Sequence, residues 1–100
     1  MSTLINFSIF PLDKGESVSV YVARALRIVR DSGLAYKLNP MGTTVEGEWN
    51  EVMTVVTRCF EEIKKDSDRV YMTVNVDYRK GKSGCIGSKV KSVEAKLTAL

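Results

Sequence analysis

Histidine is absent from this chain of 100 residues. The commonest general base near neutral pH and the commonest metal ligand are therefore both missing. Ser-His-Asp chemistry, imidazole-ligated zinc and histidine pH switching are excluded. The two cysteines, Cys59 and Cys85, form no CxxC pair, so neither a zinc knuckle nor a thioredoxin-type redox centre can be written. Only two prolines occur, and no apolar run approaches the roughly 18 to 20 residues that a bilayer-spanning helix needs. The N-terminal stretch has no basic region before its apolar residues, and Asn6 and Ser8 interrupt them. It does not read as a secretory signal. With few thiols as well, the expected compartment is the cytoplasm.

What is present is ordinary for a globular chain, with 44% hydrophobic and 27% charged residues. That composition argues against disorder and against a disulfide-stapled miniprotein. Residues 1–100 read as a single domain with one core. The net charge of +3 is a mild bias that names no partner.

Alternation marks a strand over Leu4–Phe10, with Ile5, Phe7 and Ile9 on one side and Asn6 and Ser8 on the other. Pro11 ends it. Ser17 reads as an N-cap for a helix carrying Val18, Val22, Ala25, Leu26 and Val29 on one stripe, which Gly33 stops. Ala35–Leu38 and Thr43–Glu46 flank the turn Asn39-Pro40-Met41-Gly42 and suggest a hairpin. A second helix over 48–65 places Trp49, Val52, Met53, Val56, Cys59, Phe60 and Ile63 on its apolar face. Cys59 is then a small buried hydrophobe, and Cys85, between Gly84 and Ile86, reads as more exposed. Arg69–Arg79 alternates cleanly, with Val70, Met72, Val74 and Val76 opposite Tyr71, Thr73, Asn75 and Asp77. After a basic loop, Ile86, Val90, Val93, Leu97 and Leu100 form a narrow stripe on a C-terminal helix over about 86–100. Such a stripe suits a seam at an oligomer interface more than a broad core face.

The order βαββαβ with an added helix predicts an α+β, ferredoxin-like sandwich. Right-handed crossovers give a four-stranded antiparallel sheet in the order 4-1-3-2. Two helices cover one face. The other presents Asn6, Ser8, Thr73, Asn75 and Asp77, joined by Thr43, Thr44 or Glu46 according to register. This row of hydroxyl, amide and carboxylate groups, with Leu4, Phe10 and Tyr71 at its margins, is either a solvated surface or a polar pocket enclosed by an oligomer. Asp77 and Arg79 share a face of their strand and form either a surface ion pair or a joint contact to a polar heterocycle. Gly81-Lys82-Ser83 resembles the end of a phosphate-binding P-loop. That motif needs a glycine five positions earlier, where Val76 stands, so nucleotide hydrolysis is rejected. Lys80, Lys82 and Lys89 either attract an anion to the last helix or form a solvated loop.

Taken together, Pro11-Leu12, the segment Ser17 to Val22, the hairpin Asn39-Pro40-Met41-Gly42-Thr43-Thr44-Val45-Glu46-Gly47 and the segment Lys89 to Glu94 resemble the small thiamine-binding protein family. The resemblance covers nearly the whole chain. It implies a ferredoxin-like homotetramer, a dimer of dimers with sheets packed face to face, that binds thiamine or its hydroxymethylpyrimidine moiety without catalysis. Met41, Gly42, Thr43 and Thr44 match the family's hairpin motif, and Asp77 and Arg79 match its Asp-x-Arg strand end. Tyr78 departs from a second aspartate found there in the family. A cationic ligand with an aminopyrimidine needs a carboxylate such as Asp77 or Glu46, amides or hydroxyls such as Asn6, Ser8, Thr44 and Asn75, and an aromatic or thioether wall. No catalytic or metal-binding residue and no required cofactor are expected, and neither nucleic acid nor a membrane is expected as partner. The competing readings are an oligomeric interaction or structural protein, an RNA-binding domain poor in stacking aromatics, and an enzyme whose site forms between subunits.

Overall fold

The computed structural model describes residues 2–81 and 84–100. Ten alternating residues form strand β1 (Ser2–Pro11), followed by helix α1 (Ser19–Asp31), strands β2 (Ala35–Asn39) and β3 (Gly42–Gly47), helix α2 (Trp49–Lys64), strand β4 (Val70–Arg79) and helix α3 (Cys85–Ala99). The antiparallel sheet runs β2-β3-β1-β4, the expected order, so the first and last strands lie side by side.

Register decides which side chains share a face. Ile5 pairs with both Val45 and Val76, and Phe7 with both Thr43 and Val74. These residues therefore lie on the side covered by α1 and α2. The buried core is Ile5, Phe7, Ile9 and Val45 from the sheet, Ala25 and Val29 from α1, and Val52, Val55, Val56, Cys59 and Ile63 from α2. Cys59 donates its thiol hydrogen to the Ala25 carbonyl at 3.4 Å, and burial pushes its pKa up to about 12. It is an inert packing residue.

Four local expectations are corrected. Helix α1 is capped by Val18 with no side-chain cap bond, so Ser17 lies one residue too early to serve. Trp49 is 50% exposed. It occupies the first position of α2, and because helical side chains lean toward the N-terminus it tilts off the body of the protein. Met72 and Val76 point to the helical side of β4 yet stay 38% and 46% exposed, because β4 is the outer strand and the helices pack mainly over β1 and β3. Cys85, expected to be exposed, is buried. Its surroundings belong to the site described next.

Candidate ligand-binding site on the open sheet face

The face free of α1 and α2 is built by parity. Leu4 pairs with Glu46 and Asp77, and Asn6 pairs with Thr44 and Asn75. Lys37 and Asn39 of β2 join this face through Thr44 and Gly42. Three adjacent strands thus present Thr44, Asn6 and Asn75 side by side. Asn39 Nδ2 donates to Thr44 Oγ1, and Thr44 Oγ1 donates to Asn6 Oδ1, both at 3.4 Å. Bonds of that length are weak and readily exchanged for a ligand's.

Gly42 gives this chain its room. A Cβ at Gly42 would stand 3.0 Å from Asn6 Oδ1 and 3.1 Å from the Phe7 carbonyl oxygen. The hairpin therefore needs its smallest residue beneath the Asn6 amide, a close-approach requirement rather than one of backbone dihedral. A cleft of about 210 Å³ opens beside the row, lined by Leu4, Asn6, Thr44, Asn75, Val76 and Asp77.

Asp77 does not pair with Arg79. Its Oδ2 accepts a hydrogen bond from Lys89 Nζ at 2.6 Å, and that contact, reinforced by the charge of Lys89, holds the carboxyl below its ordinary range. Arg79 lies opposite Ser2, one row further along.

Glu46 is 8% exposed. Oε2 accepts the Cys85 amide at 3.0 Å and the Ser2 hydroxyl, while Oε1 accepts the Ile86 amide at 3.3 Å. Burial raises its pKa, but the hydrogen bonds from Ser2, Cys85 and Ile86 outweigh burial and hold it below the ordinary value. A carboxylate at a helix start satisfies unpaired amides and complements the dipole. Glu46 therefore anchors α3 to the sheet and buries Cys85. Past that first turn α3 leaves Val90, Val93, Leu97 and Leu100 exposed.

The expected residues divide between two places. Asn6, Thr44, Asn75 and Asp77 gather at the open-face cleft, with Thr73 one row along opposite Ser8 and Glu46 at the anchored end. Thr43 faces the helical side with Phe7, and with Ser8, Met41 and Gly42 it lines a second cleft of about 280 Å³. That cleft is walled by Phe7, Leu26 and Leu38, between the hairpin and the start of α1. Sequence reasoning missed Asn39, Lys37 and Lys89 as neighbours of the polar row. The parity of the hairpin pairing would have found the first two. Of the expected basic cluster, Lys82 lies outside the described residues, as does Ser83 of the Gly-Lys-Ser segment. Among the described residues no group of His, Cys, Asp and Glu is placed to hold a metal ion. No helix among them is long and apolar enough to cross a membrane.

The chain is similar in sequence and in fold to known proteins. The UPF0045 protein of Mycobacterium bovis is 43% identical over 98 residues, covering 97% of this chain and 96% of that protein. A crystal structure of a Methanocaldococcus jannaschii protein superposes with a TM-score of 0.86 at 33% identity, covering 93% of this chain and 96% of that one. A Thermotoga maritima protein proposed to act in thiamine biosynthesis or salvage shares the fold, with a TM-score of 0.82 at 24% identity over 93% of this chain and 99% of that one. The family model described as thiamine-binding protein matches residues 5–94, from the first core residue of β1 to the last turns of α3, and the chain belongs to that family.

Proposed function

We propose that the protein binds thiamine, or its hydroxymethylpyrimidine moiety, without chemical conversion, in the polar cleft of the open sheet face. The observation that carries this reading is the row Thr44, Asn6 and Asn75 ending beside Asp77 in one cleft. An aminopyrimidine offers donors and acceptors along its edge, and amide and hydroxyl groups answer both. A fixed positive charge next to that ring calls for a carboxylate, and Asp77 supplies one, its ionised form further favoured by the hydrogen bond and charge of Lys89. Membership of a family described as thiamine-binding supports the same ligand class. A binding role needs no nucleophile.

The cleft is shallow for a ligand of this size, since small-molecule sites bury most of their ligand. A second copy covering the open face supplies the missing wall. This accords with a homotetramer built as a dimer of dimers with sheets face to face and the exposed stripe of α3 at a subunit seam, working in the cytoplasm.

Calorimetric titration with thiamine and with hydroxymethylpyrimidine, on the wild type and on Asp77→Asn, tests the reading. Saturable binding of thiamine that weakens at least tenfold in Asp77→Asn is expected. Absence of saturation with either compound, from protein that melts cooperatively, removes thiamine as the ligand.

A further inference from the structure

The helices do not cover their side of the sheet to its edge. They pack mainly over β1 and β3, so β2 lies beyond them. Tyr36 and Leu38 pair with Val45 and Thr43 and point to the helical side, yet they are 42% and 57% exposed while Val45 is fully buried. Between these two side chains and the outer flank of α1 runs a groove of about 460 Å³, lined by Ala23, Leu26, Arg27, Arg30, Tyr36 and Leu38. Its floor is apolar, its charged groups are both arginines, and no acidic side chain lines it.

The positive charge of this groove is largely uncompensated. From Ser17 to Arg30 the chain carries three arginines and no acidic residue. Arg24 turns toward α2, where Glu62 and Asp66 take its guanidinium at 2.7 and 2.6 Å. Arg27 has no such partner among the described residues, and the Tyr36 hydroxyl has none either. Arg30 meets only the next residue, Asp31, through Nε at 3.1 Å, which leaves its two terminal nitrogens for another acceptor. Leu26 and Leu38 also wall the hairpin cleft of about 280 Å³, none of whose lining residues is charged. A cationic hollow and an uncharged, mainly apolar one therefore adjoin across the same two leucines.

We propose that these adjoining hollows form a second binding site, separate from the open-face cleft, for an amphipathic anion: a small molecule with a carboxylate on an apolar body. Arg27 and Arg30 are neighbours on the surface of α1, so both guanidiniums can reach one head group. A guanidinium is permanently charged, and its forked donors match the two oxygens of a carboxylate. The apolar body then lies over Leu26 and Leu38 toward the hairpin, where Pro40 and Met41 extend the wall. Both hollows are of the scale of small-molecule sites, roughly 300–1,000 Å³. The proposal is independent of the reading of the open face, whose Asp77 selects the opposite charge.

Titration of the intact protein with octanoate below its micelle concentration, followed by backbone amide NMR shifts, tests the site. Octanol and inorganic phosphate are titrated in parallel as the apolar body alone and the charge alone. Saturable octanoate shifts centred on Ala23, Arg27, Tyr36 and Leu38 are expected, with each control weaker by about tenfold or more, the scale of a charge-assisted hydrogen bond. The double variant Arg27→Gln, Arg30→Gln is expected to weaken octanoate by about tenfold or more and to leave thiamine titration unchanged. Leu38→Glu, at an exposed position, is expected to abolish octanoate binding with an unchanged circular dichroism spectrum. Absent or scattered shifts overturn the site. Octanol binding as tightly as octanoate, or full octanoate affinity in the folded arginine variant, overturns recognition of the anion. Phosphate binding as tightly as octanoate, or full octanoate affinity in folded Leu38→Glu, overturns the apolar half.

Discussion

Lys89 reaches across from α3 to Asp77 on β4, its Nζ 2.6 Å from Oδ2, with both side chains about half exposed. The lysine thus occupies the carboxylate that a cationic ligand requires. A bound thiazolium must displace it or share it, so α3 competes for the acidic side of the cleft. Removing the amine in Lys89→Ala is expected to tighten thiamine about two- to five-fold, the scale of an exposed ion pair. Uncharged hydroxymethylpyrimidine is expected to bind unchanged. Parallel titrations of the two ligands check this, and equal effects on both rule out competition by charge.

The Glu46 anchor carries a pH dependence whose sign follows from its lowered pKa. A carboxylate with a folded pKa below its ordinary 4.5 contributes stability that is fully present above that value and lost as pH falls through the folded pKa. The start of α3 is therefore expected to loosen in acid below about pH 4.5. Glu46→Ala is expected to loosen it at neutral pH, at a cost of about 1–3 kcal/mol for amides left without an acceptor. Hydrogen exchange at Cys85 and Ile86 reads both changes, and protection in the variant equal to that of the wild type would remove the anchor role.

Gly42→Ala tests the hairpin's part in the cleft. The added methyl meets the Asn6 amide and the Phe7 carbonyl at 3.0–3.1 Å. Asn6 is expected to swing away from Thr44, at a stability cost of about 1 kcal/mol. Ligand affinity is expected to fall about tenfold, a loss of about 1.4 kcal/mol. Calorimetry combined with a thermal melt separates the two effects.

Two substitutions on α2 distinguish core from surface. Ile63 is fully buried and Trp49 half exposed. Ile63→Ala is expected to cost about 2–5 kcal/mol. Trp49→Ala is expected to cost under about 1 kcal/mol, against the roughly 3–5 kcal/mol typical of a buried aromatic. Chemical denaturation gives both values.

Much of the fold was legible in the residues. Alternation in β1 and β4, the 3.6-residue stripes of α1 and α2, and the Pro40-Met41 turn each report local geometry that the chain carries with it. Those elements, with the handedness of their connections, suffice for the strand order. The polar row was legible for the same reason, since Asn6 and Asn75 each stand one residue from core-side positions and so point to the opposite face. The role of Glu46 was not. As a carboxylate on an open face it reads as a ligand contact, and only the return of α3 over that face, 39 positions later in the chain, shows that it serves a helix start.

By itself, then, the sequence determined the elements, the sheet order, the identity of the open face and the exclusion of histidine and zinc-knuckle chemistry. These depend on side-chain period and residue type alone. The tertiary structure decided where Met72, Val76 and Trp49 stand relative to the core, which side of the hairpin Thr43 occupies, and what Glu46, Asp77 and Lys89 hold. Those outcomes depend on which distant segments are brought within a few ångströms, and local periodicity carries no record of that.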